Sequence, residues 1–245
     1  MIGVAMFNSF IKRWLYDRDW IFLFRSYLFI PKKLLRAKIR RHLGCLYGRV
    51  LDVGCGKQPY RRFISTDFYV GLEYNSEKYP SVVADADRLP FGEDIFDSVL
   101  CTELIEHAAE PKRVLNEINL VLKPGGRLLI SVPMSWNLHY IPSDFYRFTK
   151  YGLSYLLEQA GFEIEIIDRV GGVFSLAGAR MTEVVSLSAR RFLSFLPFRA
   201  GGIFVRLFVA IPMSLFFYIL GMLLDRLDQT DAINWVALAR KKGGV

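Results

Sequence analysis

The chain has 245 residues, enough for one large domain with insertions or two small ones, and 52% of them are hydrophobic and 15% aromatic, more apolar than a water-soluble domain usually is. Its formal charge of +8 is held unevenly: residues 1–49 carry 11 Lys/Arg against 2 Asp, residues 50–172 carry 12 against 18 acids, and residues 173–245 carry 9 against 4. An acidic middle between basic, aromatic-rich ends argues against a nucleic-acid binder with one basic face and for ends that meet an anionic surface. Cys45, Cys55 and Cys101 offer neither paired bridges nor CxxC spacing, which fits a reducing cytosol.

The first residues, "MIGVAMFNSFIKRW", have no basic run ahead of an apolar stretch, so no signal peptide is expected. Residues 7–30 interleave rings such as Phe7, Trp14, Trp20 and Tyr27 with charges, a pattern suited to a bilayer interface or a protein groove. From Pro31, "PKKLLRAKIRRHLG" spaces Leu34, Leu35, Ile39 and Leu43 as a basic amphipathic helix stopped at Gly44.

Short apolar runs follow, each with a turn and a helical stretch behind it: 49–56, 69–74, 81–86, 97–103, 127–133 and 162–170. Runs without strict alternation suit strands covered on both faces, hence a parallel sheet with helices on each side. "AEPKRVLNEINLVLKPGG" reads as a helix with Val114, Leu115, Ile118 and Leu122 on one face, ended by Pro124 and two glycines, and "GLSYLLEQAGF" behaves the same way.

"LDVGCGKQPY" places a Gly-rich turn behind the first strand, where glycine lets backbone approach a ligand and a following helix would offer free N–H groups. A dinucleotide fingerprint needs a third glycine at the position held by Pro59, so NAD is disfavoured. Glu73 closes the second strand, where a carboxylate can accept both hydroxyls of a ribose, and Asp85 follows the third strand. With "FDSVLCTELIEH" and "LKPGGRLLISVP" behind them, these residues resemble the class I S-adenosylmethionine-dependent methyltransferases, in particular their methyltransferase-11-like group, over about residues 48–170.

That resemblance implies a Rossmann-like α/β fold. The expected architecture is a mostly parallel seven-stranded sheet with helices on both faces, N-terminal helices and a hydrophobic helical hairpin inserted before the last strand. It implies S-adenosylmethionine as cofactor, with Asp52, Gly54, Cys55 and Gly56 in the turn at the methionine portion and Asp52 acting on its ammonium group. Glu73 corresponds to the ribose acid, Asp85 and Ala86 to the residues beside the adenine, and Glu103 to the position lining the methyl-donor cleft. Lys57 and Gln58 depart from the family pattern in that turn. After the fifth strand, "MSWNLHYIPSDFYRFTKYGL" corresponds to the acceptor side: His139 as general base, Asp144 holding its tautomer or taking the proton itself, and Tyr140, Tyr146 and Arg147 shaping the pocket. The alternative for this loop is structural, with Arg147 paired to Asp144. No His/Asp/Glu cluster has metal-ligand spacing, and no metal is expected.

Leu207 to Leu224 form eighteen consecutive residues without a charge, nearly enough to cross a bilayer. "INWVALARKK" resembles the final strand of that family, which lies antiparallel in the same sheet as "FEIEIIDRV"; the resemblance implies that both flanks of the insert lie on one side of any membrane, which excludes a single span. The first arm carries Arg180, Glu183, Arg190 and Arg191, too many charges to cross. Pro212 is expected to break the second arm's ladder near its middle. A monotopic hairpin is expected to dock the enzyme on the cytoplasmic face of an anionic membrane, with the aromatic N-terminal segment assisting, and a buried core helix or a homo-oligomer interface are the other readings. The resulting division is 1–48, aromatic and basic; 49–172, cofactor-binding core; 173–230, membrane-associated insert; 231–245, final strand and basic tail. The activity expected is methyl transfer to a lipid, an isoprenoid quinone or a lipid-linked glycan, without nucleic acid as partner. A catalytically silent, membrane-tethered binding module and an RNA or protein methyltransferase stand as alternatives.

Overall fold

All the apolar runs read as strands pair into one sheet in the computed structural model, which describes residues 29–192 and 198–243. The aromatic segment expected at the N-terminus lies almost wholly outside the described residues. The strands are β1 (Arg49–Val53), β2 (Phe68–Glu73), β3 (Val82–Val83), β4 (Phe96–Thr102), β5 (Leu122–Pro133), β6 (Phe162–Val170) and β7 (Asn234–Lys241). Their order is β3-β2-β1-β4-β5-β7-β6. β1 to β5 run parallel, and β7 is antiparallel to both β5 and β6. This is the mostly parallel, seven-stranded Rossmann-like sheet expected from the sequence. Strand order reverses direction between β1 and β4, and the loops after β1, β2 and β4 therefore open into one crevice.

β1 and β4 are rich in apolar residues because both their faces are covered: Leu51, Val53, Val99 and Cys101 are wholly buried. Helix α1 (Phe29–His42) buries Leu35 and Ile39 as the spacing predicts, and a 3₁₀ turn, Leu43–Cys45, buries Leu43 and ends it. Helix α2 (Pro111–Val121) opens with proline in its first turn and buries Val114, Leu115, Ile118 and Val121. It stops one residue short of Leu122, which already belongs to β5. β5 thus runs through Pro124 and both glycines, earlier than the sequence suggests; a register shift against β4 at Phe96/Ser98 absorbs the residues that cannot sustain the ladder. Helix α3 (Lys150–Gln159) is capped by Thr149, whose hydroxyl accepts from Gly152 N.

One expectation fails: among the described residues no α-helix follows the turn after β1. The stretch holds only a 3₁₀ turn, Arg61–Phe63, because Gln58 adopts a φ of +52° and Pro59 follows at once, so the chain has already turned away before a helical ladder can start.

The described residues gather into two compact units, 35–170 with 232–243, and 29–34 with 171–192 and 198–231. In the first, residues 35–48 are fastened to the sheet rather than set apart from it: His42 Nε2 lies 2.9 Å from Asp168 Oδ2, and Ser98 Oγ donates to Tyr47 O at 3.0 Å. The insert departs from β6 and rejoins at β7, where Val170 and Asn234 are partners in the ladder.

In the second unit, α4 (Val173–Phe192) packs on a second arm made of α5 (Phe198–Val205), a π-helical turn (Arg206–Ala210) and α6 (Ile211–Leu224). Pro212 does not end this arm. The π turn, in which Ile211 N donates to Arg206 O, takes up the disturbance in the ladder, and the helix continues unbroken from Gly202 to Leu224. The arms approach closely through small residues: a Cβ on Gly178 would lie 2.3 Å from Phe217 Cβ, and one on Gly221 2.2 Å from Ser175 Oγ. Asp225 closes the pair by accepting from Phe174 N, Ser175 N and Ser175 Oγ at 3.0, 3.1 and 2.5 Å, capping α4. The burial is inverted: Ser175, Thr182, Ser186 and Ser214 are inside, whereas Val184, Leu187, Phe216, Ile219 and Leu223 are at least half exposed.

Candidate active site

The turn after β1 is held by β2. Gly54 N and Cys55 N both donate to Leu72 O, at 2.9 and 3.0 Å, and Gly56 N donates to Glu73 Oε2 at 3.0 Å. Gly54 has a φ of +69° and sits against Leu104, so a side chain there would meet both strain and a clash. Glu73 also accepts from Asn75 N at 3.4 Å through Oε1, so its buried carboxylate fixes the turn while lone pairs remain for a ligand.

A cavity of about 700 Å³ opens above these strand ends. Gly54, Gly56, Glu73, Asp85, Ala86, Glu103 and Tyr140 line it. Glu103, at the end of β4, has a φ of +52°; Ser131 Oγ and Asn234 Nδ2 donate to its carboxylate at 3.0 Å and, to its second oxygen, 2.9 Å. Neighbouring strands thus hold it in a strained backbone state of the kind found at functional sites. Tyr140 also has a positive φ, +55°.

Two residues of the turn lie beneath the cavity and not in its wall. Asp52 is buried and accepts from Tyr69 OH at 2.5 Å through Oδ2, while Oδ1 has no hydrogen-bond partner. Burial pushes its carboxyl up to about 7, the Tyr69 hydrogen bond opposing and the charge of Glu73 reinforcing the rise. Cys55 points inward against Gly71, where an added Cβ would be 2.9 Å from its Sγ, and burial lifts its thiol to about 12. Gly71 carries no motif signal; its need appears only once Cys55 and Gln58 are seen packed over it.

The loop after β5 is organised by Arg147. Nη1 and Nη2 donate to Asp144 Oδ1 and Oδ2, each at 2.8 Å; Nη1 also reaches Tyr146 O, Nη2 Asn137 O, and Nε Trp136 O. All five guanidinium hydrogens are committed within the chain, so Arg147 has none left for an acceptor and its expected pocket role is corrected to a structural one. The Arg147 hydrogen bonds hold the Asp144 carboxyl well below the usual carboxylate range, which removes it as a proton acceptor. Asp144 does orient His139: it accepts from His139 N at 2.8 Å, and its Oδ2 lies 3.4 Å from His139 Nδ1. Tyr146 OH donates to Ala109 O and faces a separate groove beside α2. Three residues that sequence reasoning left out, His107, Ser143 and Phe145, line the main cavity beside Tyr140. Burial keeps the His107 imidazole below its ordinary value.

The site fits S-adenosylmethionine. Asp52 Oδ1 is a buried acceptor in want of a donor, as an ammonium group would supply; Glu73 offers a carboxylate at the ribose position; and a Cβ on Gly56 would meet nothing within 4 Å, which leaves its backbone open to a ligand.

Residues 51–130 match the methyltransferase domain family Methyltransf_11. The demethylmenaquinone methyltransferase of Mycobacterium tuberculosis (strain ATCC 25618 / H37Rv) is 41% identical over 69 residues, 27% of this chain and 30% of that protein. The demethylmenaquinone methyltransferase of Renibacterium salmoninarum is 34% identical over 95 residues, 34% of this chain and 40% of that protein. The chain therefore matches well under half the length of these curated relatives. Among solved structures, the [4+2]-cyclase SpnF superposes with a TM-score of 0.55 at 22% identity over 86% of this chain and 81% of its own, and an S-adenosylmethionine-dependent methyltransferase of Thermotoga maritima, described as a possible histamine N-methyltransferase, with 0.53 at 16% identity over 97% and 99%. Sheet order and the acids at successive strand ends give this chain the fold of the class I S-adenosylmethionine-dependent methyltransferases, and residues 51–130 carry the match to the methyltransferase domain family.

Proposed function

We propose that this protein transfers a methyl group from S-adenosylmethionine to a lipophilic acceptor, an isoprenoid quinone or a related lipid, while docked on the cytoplasmic face of a membrane. The observation that carries the lipophilic part is the inverted burial of the α4–α6 pair, with serine and threonine between the helices and leucine, isoleucine and phenylalanine outside. In water that arrangement leaves large apolar side chains solvated; in a lipid interface it is the stable one, because lipid satisfies the outer face and small residues permit close helix contact. The likeness of part of the chain to demethylmenaquinone methyltransferases supports a quinone as acceptor class.

When bound, S-adenosylmethionine supplies a methyl group already activated on a sulfonium. Asp52, beneath the cavity wall, acts on the ammonium group through water, Glu73 receives the ribose hydroxyls, Asp85 and Ala86 the adenine edge, and Gly54 and Gly56 let the backbone close on the methionine portion. Glu103 lines the methyl-donor end. His139, its Nδ1 hydrogen facing Asn137 O at 3.1 Å, keeps Nε2 as the lone pair that can take a proton from an acceptor. Positioning the acceptor in line and excluding water supply most of the rate, up to ~7–11 kcal/mol.

A second reading has a specific observation behind it: the [4+2]-cyclase SpnF shares the fold, so the fold alone does not dictate methyl transfer. Purified full-length protein incubated with methyl-labelled S-adenosylmethionine and a lipid extract from cells lacking the gene tests both. Label in the organic phase is expected; label in RNA or protein instead, or none at all despite bound cofactor, overturns the proposal.

A further inference from the structure

Outside the cofactor-binding residues, one cluster joins groups from two separated loops. Glu106 and His107 lie in a 3₁₀ turn, Ile105–His107, after β4, and His139 comes from the loop after β5; one ligand atom from each residue lies within 4.8 Å of the others. The chain folds the loops onto one another through Phe145 N and Tyr146 N, both donating to Glu106 O, at 2.9 and 3.2 Å. Distance along the sequence hides this grouping, which is why spacing alone gave no metal-ligand pattern.

The tautomers are set by the neighbours. His107 Nδ1 is 2.6 Å from Ser143 O, and His139 Nδ1 is 3.1 Å from Asn137 O. A carbonyl only accepts, so each Nδ1 carries the hydrogen and each Nε2 carries a lone pair. A ring whose second nitrogen donates to a backbone carbonyl is the usual outer support of a metal-bound histidine. The two rings stand edge to face, with centroids 4.7 Å apart. Glu106 is wholly buried, and its Oε1 lies 3.7 Å from His107 Nε2.

We propose that Glu106, His107 and His139 bind one first-row divalent cation of the Zn²⁺ type at the acceptor end of the cavity. Two imidazoles and a carboxylate are a borderline-soft ligand set that leaves a coordination position open. Tetrahedral zinc with Zn–N near 2.1 Å brings donors to roughly 3.4 Å apart, so modest side-chain rotation closes the cluster. His107 lines the cavity, so the open position faces the bound acceptor. An acceptor hydroxyl or carbonyl oxygen fits there. On the methyl-transfer reading, the ion then takes the lone pair of His139 and itself favours loss of the hydroxyl proton to solvent.

The test uses full-length protein freed of metal with a chelator, titrated with ZnCl₂ against a chromophoric zinc indicator, and in parallel with Co²⁺ read by its visible absorption. One ion per chain is expected, with an intense tetrahedral cobalt band, and His107→Ala or His139→Ala is expected to weaken zinc binding at least about 100-fold while the thermal transition stays in place. Glu106→Gln, which preserves volume, is the control against a folding defect and weakens binding as well. Absence of zinc uptake, or equal uptake by wild type and both histidine variants, overturns the site. Calorimetry with S-adenosylmethionine on the same samples reports separately: a protein that binds zinc and not the cofactor removes the methyltransferase reading and leaves the metal site standing.

Discussion

Arg147 clasps Asp144 with both nitrogens of its fork, two hydrogen bonds of 2.8 Å to a carboxylate whose side chain is 2% exposed. Removing the fork takes two donors from a buried carboxylate and one from each of three loop carbonyls. Arg147→Lys is expected to destabilise the protein by about 1.5–3 kcal/mol and to leave cofactor affinity unchanged. Because Asp144 titrates well below its unfolded value, the stability it contributes is fully present above about pH 4 and is lost as pH falls through its folded value. Denaturation midpoints of wild type and variant should therefore converge in acid and separate at neutral pH.

Glu73→Ala is expected to weaken S-adenosylmethionine binding by ~1.5–3 kcal/mol, roughly 10- to 150-fold, since a carboxylate that receives charge-assisted hydrogen bonds is lost. It also frees Gly56 N, so part of the loss is disorder of the turn. Calorimetry decides, and equal affinities would falsify the ribose assignment.

Asp52 gives the opposite pH sign to Asp144. Its folded value of about 7 lies above that of an unfolded aspartate, so the fold holds a proton that the unfolded chain has released, and stability falls as pH rises from about 4 to 7. Asp52→Asn should flatten that slope in a urea series from pH 5 to pH 8. An ammonium group placed beside Asp52 favours its charged form. Cofactor binding near pH 7 is therefore expected to release a proton, seen as a buffer-dependent calorimetric enthalpy that the variant abolishes.

In the helical insert, Gly178→Leu drives a side chain into Phe217 and should force the arms apart at a cost of about 1–3 kcal/mol. Limited proteolysis is expected to cut between residues 173 and 224 faster in the variant while the cofactor still binds. Phe216→Glu with Leu223→Glu leaves the helix contact alone, as both residues are exposed, and should abolish flotation on vesicles of phosphatidylcholine and phosphatidylglycerol. Flotation of this double variant equal to wild type would show that the apolar face is not what meets lipid.

The sheet was legible because buried parallel strands announce themselves as unbroken apolar runs, and Leu51, Val99 and Ile130 are where such runs place them. Glu73 ends β2 and Asp85 follows β3, the places in the sheet that the apolar runs give them. What local pattern could not carry was commitment of donors across loops. Arg147 looks like any exposed arginine until Trp136 O, Asn137 O and Asp144 are found around it, and Cys55 looks like part of a ligand turn until Gly71 provides the space beneath. Pro212 misled in the same way, since a π turn one step upstream is invisible to a rule about α-helical ladders.

β7 is the last strand to be synthesised, yet it sits between β5 and β6. Until the ribosome has released residues 234–241, β5 and β6 have no partner on their facing edges, and the whole greasy insert has already emerged ahead of the strand that completes the sheet. A nascent chain in that state exposes two strand edges and an apolar hairpin together, the combination most prone to aggregate. Early capture of the hairpin by lipid would leave only the sheet to finish, and production of this protein without membranes or detergent should then fail at synthesis, before any loss of activity could be measured.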